Sequence, residues 1–168
     1  MEIDSSGAMA LGLEVDVTDS HQVDQATRQT VDALGAVDIL VNVAGGSLGA
    51  PPGIDELLEE DWDRVVSLNM RAPFLTCKAV SGMMKQNGWG RIVNIASGAG
   101  RSNSRSRVIP YAAAKAGLLG LTRQLAVDLA PHGVNVNAIS PGAIDSVPNA
   151  NWSRRPESEQ RDILLTIP

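Results

Sequence analysis

Cysteine, histidine and aromatic residues are scarce in this chain of 168 residues. The single cysteine, Cys77, excludes an internal disulfide framework and a metal site built from several cysteines. The two histidines, His21 and His132, lie far apart and have no neighbours at ligand spacing, so the sequence predicts no metal site. Aromatic residues make up 3% of the chain, which argues against a stacking platform for single-stranded nucleic acid.

The chain also lacks an excess of positive charge and has no long apolar runs. Lys and Arg number 14 against 19 Asp and Glu, a net charge of −5, so we expect no nucleic-acid partner and no anionic membrane partner. No stretch approaches the roughly 20 apolar residues of a membrane span, and residues 1–10 lack the apolar core of a signal peptide. Since 43% of the residues are hydrophobic, the chain can form a core, and we expect a cytoplasmic globular protein.

Short apolar runs alternate with longer amphipathic segments. The predicted strands are residues 11–17, 37–43, 91–96 and 134–139. The predicted helices are residues 20–34 with Asp19 as N-cap and Gly35 as C-terminal stop, 56–86 with a bend at Asn69 and Pro73, 110–129 and 157–165. This order predicts an α/β fold, with a parallel sheet and helices on both of its faces.

The residues that directly follow the predicted strands are small or polar. They are Asp16, residues 42–46, Ser97 and residues 140–145. Ligands of parallel α/β sheets bind outside the carboxyl ends of the strands, so these positions are candidates for a binding site. Ordinary turn chemistry remains the alternative for each of them, because turns require the same residue types.

One pair of side chains favours a catalytic site over ordinary turn chemistry. Tyr111, the only tyrosine, and Lys115 are four residues apart and share a face near the start of a predicted helix. A lysine ammonium near a phenol favours the phenolate by charge, and the hydroxyl of Ser97 could steady charge on a substrate oxygen. Together the three residues indicate proton transfer to or from a carbonyl or alcohol oxygen.

With these residues in place, the sequence resembles the classical short-chain dehydrogenase/reductase family, and within it the 3-oxoacyl-acyl-carrier-protein reductases. The similar segments occur in the family's order: Asp16-Val17, Asn42-Val43-Ala44-Gly45, Asn69, Ile92-Val93-Asn94-Ile95-Ala96-Ser97, Tyr111-Ala-Ala-Ala-Lys115 and Asn137-Ala138-Ile139-Ser140-Pro141-Gly142. Val43 departs from the pattern, because it stands where the family has a second asparagine.

The resemblance implies four catalytic residues. Tyr111 would be the general acid for ketone reduction and the base for alcohol oxidation, and Lys115 would support it and bind the nicotinamide ribose. Ser97 would orient the substrate oxygen, and Asn69 would support a water relay toward Lys115. The implied activity is an NAD(P)-dependent oxidoreductase that interconverts a ketone and a secondary alcohol by hydride transfer.

The resemblance also implies a binding site for NAD or NADP. Its residues would be Asp16, Val17, Asn42, Ala44, Gly45, Tyr111, Lys115, Pro141, Gly142 and Ile144, with Asp16 near the adenine. The implied partner is a small carbonyl or alcohol substrate, and full-length members of the family are expected to be homo-oligomers.

A glycine fingerprint for the dinucleotide is missing. No strand is followed by Gly-x-x-x-Gly-x-Gly or Gly-x-Gly-x-x-Gly. Residues 1–168 are therefore expected to form a partial, Rossmann-like doubly wound domain, from the family's third strand through the helix after Pro141-Gly142, without the first βαβ unit and the last strand. Residues 11–17 would then lack a neighbouring strand, and residues 37–43 would have a bare apolar edge. The alternative function is a non-catalytic fragment, or a degenerate interaction protein, that cannot bind the dinucleotide.

A basic loop lies beside the predicted site. It contains Arg101, Arg105 and Arg107. A solvated loop is one interpretation, and the other is that an arginine binds an anionic group of the substrate.

Overall fold

Helices and strands alternate as the hydrophobic pattern predicts. The computed structural model describes residues 9–102, 108–142, 144 and 156–164. Its helices are α1 (Ser20–Leu34), α2 (Glu59–Val66), α3 (Ala72–Asn87), α4 (Ile109–Leu129) and α5 (Glu157–Leu164), and its strands are β1 (Ile39–Asn42), β2 (Gly90–Ile95) and β3 (Val134–Ile139). The predicted Asp19 cap is present, because its carboxylate accepts hydrogen bonds from the backbone of His21 and Gln22, and Gly35 ends α1 with a φ of 93°.

The described strands form one parallel sheet in the order β1-β2-β3. The register pairs Asn42 with Asn94 across the first two strands, and Ile95 with Ile139 across the last two. Because all three strands run in the same direction, their carboxyl ends meet at one edge, where the candidate site residues follow them.

Alternate residues of the strands face the helices and form the core. The main cluster consists of Cys77, Val80 and Met84 from α3, Leu129 from α4, Ile92 from β2, and Val134 and Val136 from β3. Burial in this cluster raises the pKa of the Cys77 thiol to about 11, so Cys77 acts as a small apolar core residue. The helices of this core cover one face of the sheet.

On the other face of the sheet and along the outer edge of β1, apolar side chains are exposed. Ile39 is 59% exposed, Val41 51%, Val43 64% and Ile139 53%. A doubly wound sheet covers its second face with helices from further strand–helix units, and the described residues contain no such helix. The bare edge that was expected at residues 37–43 is confirmed, and the arrangement is an incomplete Rossmann-like α/β fold.

Residues 11–17 differ from the sequence-based expectation. They are not a strand in the structure. A strand is stabilised by hydrogen bonds to a neighbour, and none of the described strands pairs with this segment. The segment is instead attached at its end, where the Arg71 guanidinium donates a hydrogen bond of 2.6 Å to the Thr18 carbonyl oxygen.

The bend predicted at Asn69 and Pro73 is a short π-helical segment. Ser67–Arg71 adopts this form between α2 and α3. In a continuous α-helix the carbonyl of Asn69 would accept from the N–H of residue 73, but Pro73 has no N–H to donate. The wider turn relieves this conflict, and it buries the Asn69 side chain completely.

Candidate active site

Two loops that leave the sheet are joined at the carboxyl edge. The N–H of Ala96 donates to the carbonyl of Ile139 at 2.8 Å, and the N–H of Gly98 donates to the carbonyl of Pro141 at 3.0 Å. These bonds continue the pairing of β2 and β3 beyond the strands. They bring the segment that contains Ser97 next to the segment that contains Pro141 and Gly142.

Ser97 begins a single 3-10 turn, Gly98–Gly100. Its hydroxyl oxygen accepts a hydrogen bond from the N–H of Ala99 at 3.1 Å. Its carbonyl oxygen accepts from the N–H of Gly100 at 3.0 Å. Because the N–H of Ala99 occupies a lone pair of the hydroxyl, the O–H remains as a donor for a substrate oxygen.

Lys115 is a buried cation on α4. The residue is 3% exposed, and its Nζ donates a hydrogen bond of 2.7 Å to the carbonyl oxygen of Ile95 at the end of β2. Burial lowers the pKa of Lys115, because a charged group loses hydration when it leaves water. The Nζ lies 5.7 Å from the centre of the Tyr111 ring, which is also half-buried. The structure therefore places the cation and the phenol side by side at the carboxyl edge.

Asn69 connects the π-helical segment to the loop after β1. Its Oδ1 accepts from the N–H of Gly46 at 3.1 Å, and its Nδ2 donates to the carbonyls of Gly46 and Val65, both at 2.8 Å. A Cβ on Gly45 would lie 2.7 Å from Asn69 Oδ1 and 3.1 Å from Lys115 Nζ. A larger residue would require the ends of the Asn69 and Lys115 side chains to shift, so the loop, Asn69 and Lys115 meet at Gly45.

The side chain of Asn42 forms hydrogen bonds to residues of β2 and α3. Its Nδ2 donates to Asn94 Oδ1 at 2.8 Å, and its Oδ1 accepts from the hydroxyl of Thr76 at 2.7 Å. Asn94 in turn donates to Thr122 Oγ1 at 3.0 Å, and Thr122 donates to the carbonyl of Leu118. Sequence reasoning missed Asn94 and Thr122, although a fully buried asparagine within an apolar strand was a possible signal.

A cavity of about 240 Å³ lies beside the end of β1. Its walls are Val17 on one side, residues 40–44 at the base, and Ala72, Pro73 and Thr76 from α3 on the other side. The cavity brings together three residues that were predicted to bind the cofactor: Val17, Asn42 and Ala44. Ser97, Tyr111 and Lys115 do not line it.

Asp16 directly precedes the cavity residue Val17 and lies in a tight turn. Its carboxylate accepts from the N–H of Thr18 at 2.9 Å and from the hydroxyl of Thr18 at 2.7 Å. These hydrogen bonds lower the pKa of Asp16, because they favour the charged form. The side chain is therefore an anion that is already bound to its own turn.

The remaining predicted residues lie along the loop after β3. Pro141 accepts the Gly98 hydrogen bond, and Gly142 and Ile144 are exposed, the latter by 63%. Arg101 is exposed as well, whereas the basic positions 105 and 107 and residues 143 and 145 fall outside the described residues. The prediction of an arginine at the substrate is thus not tested at positions 105 and 107.

Metal-ligand clusters and membrane-spanning helices are both absent from the described residues. No group of three or more His, Cys, Asp or Glu side chains there is arranged to hold a metal ion. Among those residues, no helix has the length and apolar character that crossing a membrane requires.

Comparisons with known proteins found many similar sequences. A family model described as short chain dehydrogenase matches residues 1–157. The chain is 39% identical over 172 residues to the (2S)-[(R)-hydroxy(phenyl)methyl]succinyl-CoA dehydrogenase subunit BbsD of Thauera aromatica, covering 99% of this chain and 64% of that protein. It is 37% identical over 155 residues to a 3-oxoacyl-[acyl-carrier-protein] reductase of Synechocystis, covering 92% of this chain and 62% of that protein.

Solved structures give the same result for the fold. NAD+-bound xylitol dehydrogenase superposes with a TM-score of 0.86 at 30% identity, covering 99% of this chain and 68% of that one. A metagenomic short-chain oxidoreductase in complex with NADP superposes with a TM-score of 0.76 at 33% identity, covering 85% of this chain and 64% of that one. The chain spans slightly less than two thirds of the length of the two curated relatives described above.

Proposed function

Because the chain belongs to the short-chain dehydrogenase family, we propose that the whole protein interconverts a ketone and a secondary alcohol with NAD or NADP. The observation that carries the proposal is the buried Lys115, whose Nζ lies 5.7 Å from the centre of the Tyr111 ring at the carboxyl edge of the sheet. A buried cation beside a phenol is an arrangement for proton transfer, and parallel α/β sheets bind their ligands at this edge.

Tyr111 is the proton donor and acceptor in this proposal. Its hydroxyl donates the proton to a substrate carbonyl oxygen, and the ammonium of Lys115 lies 5.7 Å from the centre of its ring. The bond from Lys115 to the carbonyl of Ile95 holds the ammonium at the end of β2. Tyr111 gives its proton to the oxygen when a ketone is reduced and takes one back when an alcohol is oxidised.

Ser97 and Asn69 have supporting roles. The O–H of Ser97 donates to the same substrate oxygen and steadies the negative charge that develops there. Asn69 fixes the loop at Gly46 through its side chain. We propose in addition that Asn69 supports the water relay through which Lys115 exchanges protons with solvent.

The described residues fit two parts of a nicotinamide dinucleotide. The cavity at Val17 and Ala44 has mainly apolar walls that suit a flat base, and Asp16 directly precedes Val17 in the chain. Gly45 lies against Asn69 Oδ1 and Lys115 Nζ, so a ligand beside Lys115 would also border the loop after β1. Pro141, Gly142 and Ile144 would border the nicotinamide, and the Asn42 backbone would border the cofactor. When bound, the cofactor supplies the hydride.

The relatives' names support a carbonyl and alcohol pair as the substrate class. One is a reductase of an acyl-carrier-protein substrate, and another is named galactitol 2-dehydrogenase. A small molecule with a ketone or a secondary alcohol is the shared chemistry that we carry over to this protein.

Substitution of the phenol tests this proposal. Tyr111→Phe in the whole protein is expected to lower kcat by about 10²–10⁴-fold, because the proton donor is lost, while cofactor binding is kept. The measurement is NAD(P)H absorbance with a panel of ketones and alcohols, together with a fluorescence titration of cofactor binding. Trp89→Phe, at the opposite edge of the sheet, is the control and should stay active. An inactive wild-type protein across the panel with both cofactors, or an unimpaired Tyr111→Phe, would contradict the proposal.

A second candidate function is favoured by the exposed outer edge of β1. β1 is the edge strand of the described sheet, and Ile39, Val41 and Val43, which alternate along it on the uncovered face, are each more than half exposed. Unpaired strand edges of this kind bind other strands. The 168-residue chain by itself would then be a non-catalytic interaction module. Turnover of any ketone or alcohol of the panel by that chain alone would contradict this second candidate.

A further inference from the structure

The 3-10 turn after Ser97 packs directly on the backbone of α4. A Cβ on Gly100 would lie 2.6 Å from the carbonyl carbon of Lys115, and 2.8 Å from both the Lys115 oxygen and the Ala116 nitrogen. All three atoms belong to the helix backbone, which cannot rotate aside as the tip of a side chain can. Gly100 therefore occupies a space in which no other residue fits without movement.

Contact, and not backbone conformation, is the reason for glycine at this position. The φ of Gly100 is not in the positive range, so an alanine could adopt the same conformation. Gly98, in the same turn, has its nearest neighbour at 3.5 Å, which is an ordinary van der Waals distance. The tight approach is thus confined to the one glycine that touches α4 at Lys115.

The turn behaves as one unit with Ser97. The N–H of Gly100 donates to the Ser97 carbonyl, and the N–H of Ala99 donates to the Ser97 hydroxyl. On the other side of the site, Lys115 Nζ is bound to the carbonyl of Ile95, two residues before Ser97. A displacement of Gly100 away from α4 would therefore move Ser97 relative to Tyr111 and Lys115.

We propose that Gly100 is a positioning residue that sets the distance between the Ser97 hydroxyl and the Tyr111–Lys115 pair. The inference rests on the proposed function for its effect on catalysis. The substrate oxygen must lie within hydrogen-bond reach of both Ser97 and Tyr111. An alanine at position 100 separates the two donors, so a substrate that is held by one is misplaced for the other.

The first test is Gly100→Ala in the whole protein. Misplacement by about 1 Å can lower the rate on the order of 10²-fold, so we expect kcat to fall roughly 10- to 100-fold, with the KM for the cofactor changed about twofold or less. Gly120→Ala on α4 is the matched control, because the nearest atom to its added Cβ is 3.8 Å away. An equal, small effect of both substitutions on kcat would overturn the proposal.

A double-mutant cycle separates positioning from general damage. In a Ser97→Ala background, Gly100→Ala is expected to lower kcat by about twofold or less, because the group that it displaces is already absent. If Gly100→Ala lowers kcat by the same factor with and without Ser97, the residue does not act through Ser97 and the proposal is wrong.

A measurement without catalysis separates this inference from the proposed function. Hydrogen exchange of the amides at residues 98–102 should be faster in Gly100→Ala than in Gly120→Ala, because the bond to the Ser97 carbonyl is strained. Unchanged exchange overturns the inference even in a protein that shows no activity. If Gly100→Ala does not fold, Ala99→Gly loosens the same turn without adding an atom, and an unchanged kcat in that variant contradicts the proposal.

Discussion

Lys115 combines burial with positive charge, and this combination costs stability. Its Nζ has one hydrogen bond among the described contacts, to the carbonyl of Ile95, and it forms none of the salt bridges within those residues. A buried ammonium without a carboxylate is destabilising relative to an apolar side chain. The residue thus has a role other than stability, in agreement with its place beside Tyr111.

The stability lost by burying the Lys115 ammonium should depend on pH in a defined direction. Because burial lowers the pKa of Lys115 from its ordinary 10.5, the folded chain releases this proton at lower pH than the unfolded chain. Between the lowered value and 10.5, folding releases a proton, so the stability of the wild type rises with pH in that window. Lys115→Met removes the effect. Its stability relative to the wild type is expected to be greatest near neutral pH and to decline as the pH rises toward 10.5.

Urea unfolding of both proteins at several pH values checks this prediction. Lys78→Met is the control, since Lys78 is exposed on α3. If the control shows the same decline relative to the wild type, burial of Lys115 is not its cause. An opposite trend in Lys115→Met would also contradict the prediction.

Two glycines lie at the turns that lead into β2 and β3, and their conformations allow a prediction about stability. Gly88 ends α3 with a φ of 67°, and Gly133 precedes β3 with a φ of 72°. A Cβ on Gly88 would meet open space, whereas a Cβ on Gly133 would overlap the carbonyl oxygen of Gly88. Gly88→Ala should cost about 1–2 kcal/mol of stability for its left-handed conformation. Gly133→Ala should cost roughly 3 kcal/mol or more, because the two turns must also separate.

Chemical unfolding of the two variants measures the difference. They carry the same substitution in the same backbone conformation, so each is the control for the other. Equal losses would mean that the two turns are not packed against each other as the structure describes.

Most elements of this fold could be predicted from local patterns. The Asp19 cap, the Gly35 stop and the interruption at Asn69 and Pro73 all have causes within a few residues of sequence, and the structure agrees with them. The expected strand at residues 11–17 is the exception, because an apolar run becomes a strand only when a neighbour supplies hydrogen bonds.

The candidate site could be predicted in part, where its residues follow from the strand order. Parallel strand ends must meet at one edge, so the approach of the Ser97 segment to the Pro141 segment follows from the topology. The contact of Gly100 with the backbone at Lys115 could not be predicted, because it depends on how closely a loop approaches a helix. The bond from Asn94 to Thr122 likewise depends on a packing distance that no spacing in the sequence encodes.

At the scale of the whole molecule, the sheet and the cofactor site are both incomplete in the printed sequence. No strand is paired to the outer edge of β1 within the described residues, and the sequence has no glycine fingerprint for a dinucleotide phosphate. The 168-residue chain on its own is therefore expected not to bind NADH or NADPH. A fluorescence titration checks this prediction, with the whole protein as the positive control, and saturable binding by the chain alone would contradict it.

The polar chain through Thr76, Asn42, Asn94 and Thr122 has a consequence for how the sheet assembles. It crosses β1 and β2 and connects α3 to α4 through the interior, joining residues that are 34, 52 and 28 positions apart. A slip of β1 against β2 by one residue would turn the two asparagines to opposite faces and leave buried amides unpaired. Apolar side chains alone would tolerate such an error far better. These four residues therefore select the correct strand alignment during folding, in a sheet whose outer edge offers little other guidance.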